Sequence, residues 1–275
     1  MQNKIIIVGE GVVANATFEY LKSLEKINNI DEFNIEITLY KNLPYNDKNA
    51  IKCFFSDSTE CVNYVILCLP TFFNKKQNKH DCSQIITAID HIRSINDRDI
   101  RIVIKSTVMY EHIEDIINDD ILINPEFLSA NSAFIDVMQQ EHILIGCNNH
   151  KNAHDLAEIY TLANECNGYG FYKPTIHYVT PQIACEFKHI KNIYGAYEVL
   201  FTNFVQETTD NYRKHMELLK IFSDPNVYRI FAADGKKGFG GKCFPKDVAS
   251  FDAERPNELT NFILNYNKQL RGETF

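Results

Sequence analysis

Six short apolar runs dominate the first half of this chain: KIIIVG at 4–9, IEITLY at 35–40, YVILCLP at 64–70, RIVIKS at 101–106, ILINP at 121–125 and HILIGC at 142–147. A strand with one wet face alternates apolar and polar side chains. Continuous runs instead imply burial on both faces, and therefore a parallel sheet covered by helices. Helical patterns at 15–26, 82–94 and 154–167 supply the crossovers, and a further edge strand is expected near 170–178. The fold class expected over residues 1–180 is a doubly wound α/β domain.

Past Pro181 the pattern changes. Ile183, Phe187, Ile190, Tyr194, Tyr197, Phe201 and Phe204 recur at spacings of four and three, one apolar stripe on a long helix running to about Tyr212. These aromatics read as core or subunit packing. The stretch DGKKGFGGKCFPKD at 234–247 breaks the periodicity and reads as a glycine-rich loop, followed by an amphipathic helix over 257–270. Residues 181–275 are thus a long helix and a small, mostly helical segment carrying that loop.

The net charge of −8 argues against a nucleic-acid partner, which calls for a basic footprint. No apolar run approaches the ~20 residues that span a bilayer. The opening MQNKIIIVGEG enters a strand without the basic and apolar regions of a signal peptide, so a cytoplasmic protein with no membrane partner is expected. Eight cysteines lie scattered without a CxxC pair or zinc spacing, which points to reduced thiols and no metal site. Cys68 and Cys147 sit inside apolar runs as small core residues, whereas Cys243 has unusual neighbours.

Gly9-Glu10-Gly11-Val12-Val13-Ala14 follows the first apolar run directly, a G-x-G-x-x-A variant of the Rossmann dinucleotide fingerprint. Its glycines allow a tight turn and close approach of a pyrophosphate to a helix N-terminus. The second run should end in an acid that accepts hydrogen bonds from the adenosine ribose, yet TLYKNLP offers Lys41 there. A lysine could favour a 2′-phosphate and hence NADP, or could be solvated with the ribose held elsewhere.

In GFGGKCFPKD at 238–247, paired glycines let a substrate approach the backbone, Lys242 and Lys246 can stabilise a thiolate on Cys243, and Asp247 can act on a proton. That segment resembles the catalytic-cysteine signature of the UDP-glucose and GDP-mannose 6-dehydrogenases. Further landmarks follow that family's order: the fingerprint, Lys105-Ser106-Thr107, Asn124-Pro125-Glu126-Phe127-Leu128, and the helix around 184–192.

The resemblance implies an NAD enzyme oxidising a nucleotide-sugar C6 alcohol to the carboxylate in two steps, through a thioester on Cys243, with UDP-glucose preferred. It implies that Thr107, Glu126 and Asp247 position or activate water while Lys188 and Asn192 hold the oxyanion. Cofactor contacts are expected from Gly9, Gly11, Val12, Val13, Lys41, Thr71, Thr107 and Lys246. Substrate contacts are expected from Glu126, Phe127, Leu128, Lys188, Asn192, Phe239 and Gly240. Lys188 and Asn192 share a helix face, flanked by the small residues Ala184 and Gly195.

The chain departs from the family in two ways. A distal α/β domain that completes the nucleotide-sugar pocket is expected to be absent, and Cys185 stands where a glutamate is usual. The expectations are therefore a minimal dehydrogenase, homodimeric through the long helix; a non-catalytic binding relative; a GDP-mannose enzyme; or a simple alcohol dehydrogenase that forms no thioester.

Overall fold

A computed structural model describes residues 2–27, 34–41, 63–74, 79–95, 100–169, 173–222, 235–240 and 244–272. The chain divides into two compact units, Met1–Asn192 and Ile193–Phe275.

The first unit is built on seven strands, β1 (Gln2–Val8), β2 (Asn34–Tyr40), β3 (Asn63–Leu67), β6 (Ile100–Ile104), β7 (Ile121–Ile123), β8 (His142–Gly146) and β9 (Thr175–Val179). They lie in the order β2-β1-β3-β6-β7-β8-β9, and a small hairpin of β4 (Phe72–Asn74) and β5 (Lys79–Asp81) stands apart. The expected apolar runs all became strands, and the edge strand formed as β9. The chain leaves β1 for β2 on one side and then returns to place β3 on the other. In such a sheet the strand order reverses at β1, and the crevice at the carboxyl ends of β1 and β3 is where ligands bind.

Adjacent side chains of β1 enter opposite cores. Ile5 and Ile7 pack under α1 (Val12–Lys22) and α4 (His150–Asn164), among Tyr20, Leu21, Leu156 and Tyr160. Ile6 and Val8 pack under α2 (Ser83–Ile95), among Ile85, Ile89 and Ile92. Burying each such aliphatic side chain contributes about 1.5–3 kcal/mol, and burial on both faces is why the runs are continuous rather than alternating.

The sheet is not wholly parallel. Most neighbours are parallel, but β7 meets β8 antiparallel, with Ile123 opposite Gly146. A strand buried on both faces reads alike whichever way it runs, so the pattern could not report this reversal. The connection between them carries the short helix α3 (Ala133–Met138), which packs against α1.

The long helix is α5 (Pro181–Thr208), with Pro181 in its first turn and the Thr180 hydroxyl accepting from the Ile183 N–H at 3.2 Å. It stops four residues short of the expected end. Thr208, Thr209, Asp210 and Asn211 offer side-chain partners to the backbone, and the Asn211 N–H bonds the Thr209 hydroxyl at 3.2 Å. A separate helix, α6 (Tyr212–Phe222), follows. The loop expected over 234–247 is also shorter than its pattern, because α7 (Phe244–Glu254) starts inside it with Pro245 in the first turn.

The last helix, α8 (Glu258–Arg271), begins where the Asn257 side chain accepts from the Leu259 N–H at 2.8 Å and ends on Gly272 at φ +68°. Among the described residues, no helix is long and apolar enough to cross a membrane.

Candidate cofactor cleft and active site

The cleft starts with a backbone that only glycine allows. Gly9 sits at φ +146°, and a Cβ on it would come within 2.5 Å of the Cys68 carbonyl oxygen. Its N–H donates to the Tyr40 carbonyl at 2.8 Å, and the Cys68 N–H donates to the Val8 carbonyl at 2.8 Å, so the ends of β1, β2 and β3 are tied at one edge. Gly11 is different, since a Cβ there would meet nothing within 4 Å. It is the N-cap of α1, which has neither a side-chain cap nor an acid in its first turn. Those first N–H groups and the helix dipole suit an anion.

A cavity of about 420 Å3 lies over this turn, lined by Glu10–Val13, Cys68–Phe72, Lys105–Thr107 and Glu126. It lies within the usual size of ligand sites, roughly 300–1,000 Å3. Five expected cofactor residues therefore line it: Gly11, Val12, Val13, Thr71 and Thr107. Gly9 is buried beneath them, and Lys41 is exposed just past the end of β2. The Thr71 hydroxyl donates to the Thr107 carbonyl at 2.7 Å, which ties the loop after β3 to the loop after β6. The open space above Gly11 and the bare helix N-terminus fit the pyrophosphate of a dinucleotide.

Beneath the cavity runs a polar layer whose side-chain partners the sequence did not reveal. Lys105 Nζ donates to Asn124 Oδ1 at 2.8 Å, the Tyr160 hydroxyl donates to the same oxygen at 2.7 Å, and Asn124 Nδ2 donates to the Leu144 carbonyl at 2.8 Å. Burial holds the Lys105 ammonium below its ordinary pKa, partly offset by Cys68 and Glu126. Burial likewise pushes the Cys68 thiol up to about 12 and the Tyr160 phenol well above its usual value. Cys68 is thus a neutral wall residue and no nucleophile. Lys105 and Asn124 stood out beforehand only as family landmarks, without a sign that they bond each other.

At the rim, Lys188 from α5 reaches Glu126. Its Nζ donates to the Glu126 carbonyl at 2.6 Å and to Glu126 Oε1 at 3.1 Å, while Glu126 Oε2 accepts from the Leu128 N–H at 2.6 Å. Lys188 is only 5% exposed, and its Nζ lies 5.4 Å from the Phe127 ring centre. Phe127 meets Phe187 edge-on at 5.6 Å. A cation so placed can stabilise a developing oxyanion, and a carboxylate held by a backbone N–H can order water.

Of the other residues on that helix face, Asn192 is exposed, and Ala184 is a packing residue: a Cβ on Gly146 would fall 2.7 Å from its methyl. Cys185 is buried, its thiol pushed up to about 12 by that burial, and cannot take the part of the usual glutamate.

The family model for the NAD binding domain of the UDP-glucose/GDP-mannose dehydrogenase family matches residues 21–164. The chain belongs to this family. Its matched domain is one that binds NAD, in keeping with the cleft. UDP-glucose 6-dehydrogenase of Rickettsia felis is 29% identical over 212 residues, 71% of this chain and 46% of the relative. The enzyme of that name from Bacillus subtilis is 25% identical over 211 residues, 70% and 46% of the two chains. The chain therefore spans about half the length of the curated relatives it matches. Among solved structures, the GDP-mannose dehydrogenase of Pseudomonas aeruginosa shares the fold at a TM-score of 0.70 and 17% identity, covering 97% of this chain and 68% of that one. A UDP-glucose dehydrogenase from Pyrobaculum islandicum does so at 0.55 and 18%, covering 98% and 68%.

Within the second unit of this family member, the described part of the glycine loop is Gly235–Gly240. Gly238 is at φ +79°, facing Asn267 of α8 so closely that no Cβ fits between them. Asn267 is buried, accepts from the Phe239 N–H at 2.7 Å and returns Nδ2 to the Phe239 carbonyl at 3.1 Å. This clamp, unforeseen in the sequence, fixes Phe239 and its neighbour Gly240. Gly241, Lys242 and Cys243 lie outside the described residues; Lys246 and Asp247 belong to the first turn of α7.

Glu126→Ala should leave the Lys188 cation buried with only a backbone carbonyl, costing about 3 kcal/mol in urea unfolding. Adding Lys188→Met should recover part of that loss. A single substitution within about 0.5 kcal/mol of wild type would mean the pair is effectively solvated.

Proposed function

We propose that this chain is an NAD-dependent nucleotide-sugar 6-dehydrogenase that converts a C6 alcohol to the carboxylate through a thioester on Cys243, with UDP-glucose as substrate. Family membership and the cleft support the oxidoreductase class, and the names of the relatives at 25–29% identity support UDP-glucose. The observation that carries the reading is the Glu126–Lys188 pair, a carboxylate residue that lines the cofactor cavity and a buried cation beside it.

NAD, when bound, takes up one hydride in each of the two oxidations. The Cys243 thiolate adds to the C6 aldehyde carbon to give a thiohemiacetal, whose oxygen carries the developing charge. Lys188 and Asn192 hold that oxygen by hydrogen bonding. The second oxidation leaves a thioester. Water, ordered by Glu126, Thr107 and Asp247, attacks its carbonyl, expels the thiolate and yields the carboxylate. Lys246 contacts the cofactor, and Phe127, Leu128, Phe239 and Gly240 shape the sugar site.

Two NADH per UDP-glucose is the expected stoichiometry, and Cys243→Ser should slow turnover at least a thousandfold, because a hydroxyl at neutral pH cannot replace a thiolate. One NADH per sugar would mean a simple alcohol dehydrogenase, and none a binding protein. Turnover of the serine variant within about tenfold of wild type would remove Cys243 from the mechanism.

The functional form we propose is a homodimer joined along α5. Ile190, Ile193, Tyr194, Tyr197 and Leu200 are each 47–68% exposed, an apolar face of the kind that marks an interface. Further along, the stripe is partly covered within its own unit, Phe204 meeting Phe251 at 5.7 Å and Val205 being buried. Ile193→Asp with Tyr197→Asp should convert a sedimenting dimer to monomer. Wild-type protein that sediments as a monomer at micromolar concentration with full activity would refute the interface.

A further inference from the structure

We propose that Lys41 makes the adenosine end of the cleft accept a 2′-phosphate, so that the protein binds NADP as well as NAD. The inference rests on the reading of the cleft as a dinucleotide site, and extends it to the class of dinucleotide admitted.

The register of the sheet determines which residue stands at the ribose position. Val8 pairs with Tyr40, and the Gly9 N–H holds the Tyr40 carbonyl at 2.8 Å, so the next residue of β2 emerges at the carboxyl edge beside the glycine turn. That is the place from which an acid grips the ribose hydroxyls and repels an added phosphate in NAD-selective folds. The long gap between Gly11 and this residue in the sequence does not displace it, because strand pairing sets its place.

Packing excludes the two residues before it. Leu39 lies against the core under α1 and Tyr40 against the core under α2, so both side chains are turned inward. Lys41 is exposed. An ammonium has three donors and no acceptor, so it cannot take hydrogen bonds from two ribose hydroxyls as a carboxylate does. It removes the repulsion that bars NADP, and its point charge attracts a phosphate.

Glu10, on the turn between the two glycines, lines the cavity, while Lys41 stands just past the end of β2. With one negative and one positive side chain at this end, the extra phosphate is neither barred nor required. Acceptance of both coenzymes, rather than a switch to NADP, is the consequence.

The test is the dissociation constant of each coenzyme for the full chain by calorimetry, without sugar nucleotide, for wild type, Lys41→Ala and Lys41→Asp. Wild type should bind NADP within about tenfold of NAD. Lys41→Asp should weaken NADP by about tenfold or more while leaving NAD binding equal or tighter, and Lys41→Ala should fall between them, the NADP effects shrinking as salt is raised. NADP weaker than NAD by about a hundredfold in wild type, or a ratio unmoved in Lys41→Asp, would overturn the inference. Failure to bind either coenzyme would overturn it together with the dinucleotide reading. The expected ratios without any oxidation of UDP-glucose would leave it standing and refute only the dehydrogenase reaction.

Discussion

Everything at the site depends on how closely the end of β1 approaches the end of β3. Gly9 faces the Cys68 carbonyl with no room for a methyl group, and its positive φ turns the chain sharply out of the sheet. Because the turn is that tight, α1 starts directly above the carboxyl edge, with Gly11 as a bare cap. The cavity, the free helix N–H groups and the position of Lys41 follow from this contact and from the backbone bond between Gly9 and Tyr40.

The proposed catalytic pair is held by a buried polar framework. Lys105, Asn124 and Tyr160 satisfy one another under the cavity floor, which removes the penalty of burying three polar side chains and locks the ends of β6 and β7 to α4. Glu126 projects just past β7, and Lys188 reaches it from the first half of α5. The buried cation thus holds the carboxylate residue that lines the cavity. That is the preorganisation an oxyanion-stabilising site needs.

Much of this architecture was legible because burial leaves a mark on composition. Six apolar runs announced six strands, although β2, whose run alternates and leaves Glu36 exposed, is covered less fully than the rest, and G-x-G-x-x-A announced the turn. What stayed hidden depends on partners distant in sequence. Strand direction at β7 and β8 is invisible to hydrophobic pattern, as is the burial of Lys188 against Glu126, 62 residues away in sequence. Asn267 looks like any polar residue of an amphipathic helix until Gly238 and Phe239 are seen against it. The small side chain of Ala184 is matched to a close glycine, Gly146, which no local pattern reports.

The most direct test of this account contrasts two glycines on one turn, by measuring NAD affinity and unfolding midpoint for Gly9→Ala and Gly11→Ala. A methyl on Gly9 collides with backbone and should destabilise the fold itself. A methyl on Gly11 meets only open space, so stability should be unchanged or higher by up to about 1 kcal/mol, while NAD binding weakens at least tenfold because the pyrophosphate needs that space. A Gly11→Ala protein that folds normally and binds NAD as tightly as wild type would contradict the placement of the cofactor on the N-terminus of α1.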